Sequence, residues 1–272
     1  MNFYQFLNTD HPFVCLLKFR KESEMTKPNF IEIIVVLDRS GSMSTVINDT
    51  IGGFNTFLDE QKKSVGEAKL TLIQFDDRYE IAHNGVDIQN VPSLTTATYV
   101  PRGMTALFDA VMKTSIDVGE RLAKTPESER PSLVIFVILT DGQENSSKEF
   151  RLAQVKDMIK HQTEKYNWQF LFLGADQDSF QAEHIGMSAG NTFSYDSANT
   201  NHVYMSMSRG ISNARLKMSD TSVDVEEACA SATACAMNIG DFMRQDQPNI
   251  SIFDPHTKKS TSKKDEDKDK PV

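Results

Sequence analysis

The stretch FIEIIVVLDRSGS, residues 30 to 42, decides the fold because it joins a strand-like apolar run to a cluster of polar side chains. The run is rich in β-branched residues and almost continuously apolar, which is typical of a strand buried on both faces. It ends on Asp38, and Ser40 and Ser42 follow at alternate positions around Gly41. The stretch therefore predicts a central strand whose carboxyl end carries one carboxylate and two hydroxyls.

Outward from this strand, apolar runs of strand length alternate with amphipathic helical segments. The alternation indicates an α/β fold: a Rossmann-like, doubly wound, mostly parallel sheet with helices on both faces. The Asp76-Asp77 pair makes a short turn into residues 78 to 83, which predicts one antiparallel edge strand. Ser44 or Thr45 is expected to cap the first helix. The other predicted strands are residues 69 to 75, 133 to 141, 168 to 174 and 190 to 195, and the later helices cover about 150 to 166 and 200 to 217.

The chain divides into four segments by composition. Residues 1 to 28 are interpreted as an N-terminal extension, and MTKPNFIEIIVV reads like a natural beginning, so residues 1 to 24 are expected to come from an upstream start codon. Residues 29 to 196 form the α/β domain, and 197 to 256 are a predicted helical extension packed on it. Residues 257 to 272 are charged at both signs without a large apolar residue, which predicts disorder.

Charge and cysteine content limit the classes of function. The chain of 272 residues has 29 Lys and Arg against 38 Asp and Glu, a net charge of −9. This balance argues against binding to nucleic acid or to an anionic membrane, because both depend on clustered basic side chains. No run approaches the roughly 18 apolar residues of a membrane-spanning helix. Three widely spaced cysteines do not suggest a disulfide framework, so a cytoplasmic protein is expected.

The polar cluster has the chemistry of a site for a hard cation. Ligands of open α/β sheets bind beyond the carboxyl ends of the strands, where Asp38, Ser40 and Ser42 stand. Hydroxyl and carboxylate oxygens suit Mg²⁺, which is usually held by only one or two carboxylates. Mg²⁺ is therefore the expected cation. Mn²⁺ stays open as an alternative, as does Ca²⁺, although Ca²⁺ prefers more oxygen ligands.

Three motifs in the expected order resemble the von Willebrand factor A (VWA) domain and its metal-ion-dependent adhesion site. DRSGS at 38 to 42 resembles the family's Asp-x-Ser-x-Ser signature, RGMTALFDA supplies the threonine, Thr105, and VILTDG supplies the second aspartate, Asp141. The resemblance covers roughly residues 30 to 196 and is greatest to cytosolic bacterial or phage members. It implies that Ser40 and Ser42 bind the metal directly, that Thr105 binds directly or through water, and that Asp38 and Asp141 act through bridging waters.

The resemblance also implies a protein–protein interaction module in which the metal captures an acidic residue of a partner. An ATPase encoded nearby is one partner that it suggests. No histidine, cysteine or lysine is arranged for catalysis, so an enzyme is not expected. Two alternatives stay open: a Mg²⁺-dependent phosphohydrolase of the haloacid-dehalogenase kind, although Ser40 stands where its second acid belongs, and a structural phage or assembly protein. Asp109, Glu144 and Asn145 lie beside the motifs and are interpreted as helix-surface or turn residues.

Overall fold

The computed structural model describes residues 26–175, 186–187, 191–195, 200–219, 239 and 243. The N-terminal extension up to residue 25, most of the segment after residue 219 and the charged tail therefore lie outside the described residues. The elements are β1 (Lys27–Asp38), α1 (Ile47–Lys63), β2 (Glu67–Phe75), β3 (Tyr79–Asp87), α2 (Leu107–Lys124), β4 (Pro131–Thr140), α3 (Leu152–Tyr166), β5 (Gln169–Ala175), β6 (Thr192–Tyr195) and α4 (Thr200–Ser219).

Six strands form one sheet in the order β3-β2-β1-β4-β5-β6. All neighbouring strands are parallel except β2 and β3, which pair antiparallel at one edge. Because β1 and β4 are adjacent and in register from Ile31 and Leu133 onward, their carboxyl ends meet. The expected α/β fold class, with its single antiparallel edge strand, is confirmed.

Side chains of β1 alternate between two apolar layers. Ile33 and Val35 pack among residues of α1 and α4, whereas Ile34 and Val36 pack among residues of α2 and α3. These four residues are fully buried, as the continuous apolar run predicted for a strand covered on both faces. Burying both faces fixes the register of β1, because a slip of one residue would move each side chain into the opposite layer. The position of Asp38 at the strand end is fixed with it.

The predicted cap of the first helix is wrong. A 3₁₀ helix spans Gly41–Val46 and leads into α1, which begins at Ile47 without a side-chain cap. Ser44 Oγ donates to the carbonyl of Gly41 at 2.7 Å, so it bonds back into the 3₁₀ turn. The first helical turn therefore begins at Gly41, before the predicted cap, and the N–H of Gly41 is satisfied by the carbonyl of Gly103, 3.2 Å away.

The last described helix, α4, packs against α1 through small and polar side chains. A Cβ built on Gly53 would lie 2.3 Å from the ring of Tyr204, so only glycine admits this approach. Arg215 of α4 is buried and donates to the carbonyls of Gln61 and Val65 at 2.7 and 3.0 Å, which satisfies the end of α1. In the described residues, no helix combines the length and the apolar character needed to cross a membrane.

Candidate metal centre

The site lies where the carboxyl ends of β1 and β4 meet a loop from between β3 and α2. Asp38 is the last residue of β1, and Asp141 directly follows β4. Thr105 stands two residues before α2, in a loop whose Gly103 carbonyl accepts the N–H of Gly41 at 3.2 Å. Three separate chain segments therefore converge at one edge of the sheet.

Short hydrogen bonds link the side chains of the first and third segments. Ser42 Oγ donates to Asp141 Oδ1 at 2.6 Å, and the Oγ atoms of Ser40 and Ser42 are 3.0 Å apart. The backbone N–H of Ser40 donates to Asp38 Oδ1 at 2.6 Å. Thr140 Oγ1 donates to Asp38 Oδ2, also at 2.6 Å. Asp38 is thus held at both oxygens.

The space beside Gly142 shows that Thr105 joins the same cluster. A Cβ built on Gly142 would lie 2.8 Å from Thr105 Oγ1, 3.3 Å from Ser42 Oγ and 3.5 Å from Asp38 Oδ2. Oxygens from the first two segments therefore surround a single point beside Gly142 of the third segment, which a methyl group would fill. With the contacts of Ser40 and Asp141, the structure brings all five sequence-predicted residues together.

Among the described residues, the two carboxylates have no positive side chain beside them. In the described part of the chain, neither Asp38 nor Asp141 forms an ion pair with lysine, arginine or histidine. Burial raises the pKa of Asp38 to about 6, against the opposing effect of its hydrogen bonds from Thr140 and Ser40. Burial also raises the pKa of Asp141 above its ordinary value, although Ser42 opposes the shift. A cation between them would remove the cost of two desolvated negative charges.

The donor set fits a hard divalent cation. It consists of two carboxylates and three hydroxyls, all oxygen, whereas zinc sites are usually built from cysteine and histidine. Among the described residues, no group of three or more His, Cys, Asp and Glu side chains could hold a metal. Ser42 is exposed and Asp141 is half-buried, so one side of the oxygen cluster faces solvent. The site therefore has an open side from which a further ligand could approach.

The loop after β4 is bonded to the Thr105 loop and to the start of α2 by residues that the sequence predicts as helix-surface or turn residues. Asn145 Oδ1 accepts the backbone N–H of Thr105 at 2.9 Å, and Glu144 accepts the N–H of Phe108 at the same distance. Asp109 is buried and accepts N–H groups of residues 148 to 150, the shortest being Lys148 at 2.8 Å. The helix-surface interpretation is wrong for Asp109, because its carboxylate satisfies the backbone of a loop that crosses the start of α2.

Sequence reasoning missed several residues that shape the site. The motif VILTDG includes Gly142, to which the sequence analysis gives no role. Its position directly after the strand-end Asp141 could have indicated that it lies at the site. Asp76 was interpreted as a turn residue, although it directly follows β2, the parallel neighbour of β1. Tyr99 gave no signal in the sequence, yet its buried hydroxyl donates to the carbonyl of Asp38 at 2.6 Å.

No family model and no curated protein matches the chain. Among solved structures, the chain is similar to a von Willebrand factor type A protein from Catenulispora acidiphila, with 14% identity, a TM-score of 0.46 and coverage of 67% of this chain and 42% of that one. It is also similar to proximal thread matrix protein 1 of the mussel byssus, whose metal-ion-dependent adhesion site (MIDAS) motif is occupied by zinc. The identity is 18%, the TM-score is 0.44, and the match covers 66% of this chain and 46% of that one.

A third similar structure is the manganese-loaded TRAP protein of Plasmodium vivax, with 15% identity, a TM-score of 0.43 and coverage of 64% of this chain and 72% of that one. The chain spans less than half the length of the first two proteins. VWA-type proteins, some carrying a metal, are therefore among the solved structures that this chain is similar to.

Proposed function

We propose that the protein is a VWA-type interaction module in which a divalent cation, Mg²⁺, captures an acidic side chain of a partner protein. Ser40, Ser42 and Thr105 would contribute hydroxyl ligands, and Asp38 and Asp141 would balance the charge. The observation that supports it best is the convergence of Asp38, Ser42 and Thr105 oxygens on one point, beside carboxylates without a positive neighbour.

The charge balance favours an anionic partner group. Two carboxylates neutralise one divalent cation and the hydroxyls add no charge, so a carboxylate of a partner meets little repulsion. The open side near Ser42 and Asp141 gives it access. Mg²⁺ suits this donor set because it is usually held by one or two carboxylates and keeps several waters, which a ligand can replace.

Exposed apolar side chains beside the site favour a partner whose acidic residue has an apolar neighbour. Val100 and Met104, in the loop that also carries Thr105, expose 50% and 55% of their surface. Exposed apolar side chains next to a polar anchoring point are common in protein interfaces, where methionine adapts to different surfaces. The proposed partner therefore presents an aspartate or glutamate flanked by an apolar residue.

The proposed role is not enzymatic. In the described residues, no histidine, lysine or cysteine contacts Asp38 or Asp141, and the side chains that bond to these carboxylates are hydroxyls. The proposed compartment is the cytosol, where a nearby-encoded ATPase is one candidate partner.

Titration calorimetry with Mg²⁺ tests the metal site. The wild-type protein is expected to bind one Mg²⁺, and Asp38→Ala is expected to bind none, because it loses a charge and both oxygen atoms. Absence of binding to the wild type, or equal binding to Asp38→Ala, would contradict the proposal. Turnover of a generic phosphomonoester that Asp38→Asn abolishes would favour a phosphohydrolase instead.

A steric variant tests the same site without changing any charge. Gly142→Ala places a methyl group 2.8 Å from Thr105 Oγ1, in the space proposed for the cation. We expect Mg²⁺ affinity to fall by at least about 100-fold, since mutations beyond the ligands already cost 10- to 100-fold. Gly52→Ala is the matched control, because a Cβ there meets nothing within 4 Å. Equal affinities of the two variants would place the cation elsewhere.

A further inference from the structure

We propose that Asp76 is a positioning residue for the metal centre, acting through two arginines that hold the serine loop and the threonine loop at a fixed spacing. The inference rests on the proposed function, because it concerns the same metal. We call Arg39, Asp76, Glu80 and Arg102 the Asp76 clamp. None of the four is among the five proposed ligands.

The side chains of the clamp join two loops to one buried carboxylate. Asp76 is fully buried, and its Oδ2 accepts Arg39 Nε at 3.0 Å and Arg102 Nε at 2.8 Å. Arg39 lies between the proposed ligands Asp38 and Ser40, and Arg102 lies three residues before Thr105. One carboxylate oxygen therefore bridges the two ligand-bearing loops.

Backbone hydrogen bonds make the same connection. The N–H of Arg102 donates to the carbonyl of Arg39 at 2.8 Å, and the N–H of Ala106 donates to the carbonyl of Asp76 at 2.9 Å. Asp76 Oδ1 accepts the N–H of Arg78 at 2.7 Å, which fixes the turn that follows β2. Thr105 thus lies between Arg102, whose N–H bonds to Arg39, and Ala106, whose N–H bonds to Asp76.

The clamp acts through geometry and adds no net charge near the cation. Its two arginines balance Asp76 and Glu80, and the Glu80 carboxylate accepts Arg39 Nη1 at 2.7 Å and Arg102 Nη2 at 2.6 Å. Glu80 differs from Asp76 in exposure, since half of its side chain faces solvent. Loss of Asp76 would leave two arginines without their shared buried partner, and both loops would shift relative to each other.

Mn²⁺ binding, followed by electron paramagnetic resonance, tests this role in the full chain. Asp76→Asn is expected to weaken Mn²⁺ affinity by about 10-fold or more, as for other residues that orient metal ligands. Glu80→Gln removes one charge from the same clamp but leaves the buried bridge, so its affinity should stay within about 2-fold of wild type. Equal losses in the two variants would show a simple charge effect and overturn the proposal.

A second control separates positioning from general stability. Glu32→Gln also removes a buried carboxylate that is bonded to an arginine, Arg121, but at the other end of the sheet. It should lower thermal stability and leave Mn²⁺ affinity unchanged. If Glu32→Gln weakens binding as much as Asp76→Asn does, the clamp has no specific role.

A milder variant covers the case in which Asp76→Asn does not fold. Arg102→Gln removes a partly exposed arm of the clamp, and its Mn²⁺ affinity is expected to fall by about 3-fold, the scale of a half-exposed ion pair. Unchanged affinity in Arg102→Gln, with normal binding by the wild type, would overturn the clamp but leave the metal site intact. No Mn²⁺ binding by the wild type would instead refute the proposed function.

Discussion

The sheet carries two kinds of buried or half-buried carboxylate. Asp76 is bonded to Arg39 and Arg102, and Glu32, near the amino end of β1, is bonded to Arg121. Asp38 and Asp141 receive hydrogen bonds from hydroxyl and N–H groups, and in the described residues they have no positive partner. Arginine side chains of the protein neutralise the negative charge of the first kind, which we call compensated carboxylates. No positive side chain of the described residues neutralises the second kind.

In the proposed function, this difference separates structural carboxylates from those that face the cation. A buried negative charge without a partner is costly, and a folded protein retains one where an external cation completes the site. The raised pKa values of Asp38 and Asp141 follow from burial without an arginine. The arginines at Asp76 and Glu32 do for those residues what the cation would do for the other pair.

Removing a compensated carboxylate should give the largest change in stability. Glu32→Gln leaves Arg121 in a mostly buried position without its counter-charge, so the free energy of unfolding should fall by about 3 kcal/mol. Chemical denaturation in the presence of a chelator measures it. A change below about 0.5 kcal/mol, the level of an ordinary surface substitution, would show that Glu32 is not structurally compensated.

Binding of the proposed cation should stabilise the folded protein by a similar amount. At a free Mg²⁺ concentration 100 times the dissociation constant, the free energy of unfolding should rise by about 2.7 kcal/mol. Thermal unfolding with and without Mg²⁺ measures the effect, and the increase should disappear in Asp38→Ala. A rise of equal size in that variant would indicate binding at another position.

Removing the uncompensated charge should stabilise the protein when no metal is present. Asp38→Asn keeps the shape of the side chain, and in a chelator at pH 7.5 its free energy of unfolding should exceed the wild-type value by about 1 to 3 kcal/mol. The pKa of Asp38 is about 6 in the fold, above its ordinary value of 3.8, so ionisation destabilises the fold as pH rises between these values.

The advantage of Asp38→Asn should therefore be complete above pH 6 and decline as pH falls from 6 to 3.8, and it should be lost below that range, where the wild-type carboxyl is protonated in both states. Denaturation at a series of pH values follows this decline. A variant that is less stable than wild type throughout, without metal, would mean that the hydrogen bonds of Asp38 outweigh its burial.

The smallest effect is expected at the exposed member of the Asp76 clamp. Arg39 and Arg102 lower the pKa of Glu80 to about 2, so its contribution to stability is present above about pH 4.5 and is lost as pH falls toward 2. Because half of the side chain is in solvent, Glu80→Gln should cost about 0.5 kcal/mol or less at pH 7. The difference in free energy of unfolding between Glu80→Gln and wild type should therefore be constant above pH 4.5 and disappear as pH falls toward 2, and a larger loss at pH 7 would make Glu80 a compensated carboxylate like Asp76.

Much of the fold followed from local pattern. The apolar runs placed β1, β2, β4 and β5 within three residues of their observed ends, because strands buried on both faces require apolar side chains at almost every position. The cap of α1 was wrong, because a 3₁₀ helix already begins at Gly41, whose N–H bonds to the carbonyl of Gly103, more than 60 residues away. Long-range hydrogen bonds of this kind leave no periodic signal in the sequence.

The sequence by itself determined the five oxygen-bearing residues of the candidate site: strand-end position and spacing gave Asp38, Ser40, Ser42 and Asp141, and the resemblance to the VWA family gave Thr105. Only the tertiary structure decided which buried carboxylates are compensated. Arg39, Arg102 and Arg121 reach Asp76 and Glu32 across 26 to 89 positions of sequence, and no arginine of the described chain reaches Asp38. Charge compensation depends on distance in space, and packing alone sets that distance.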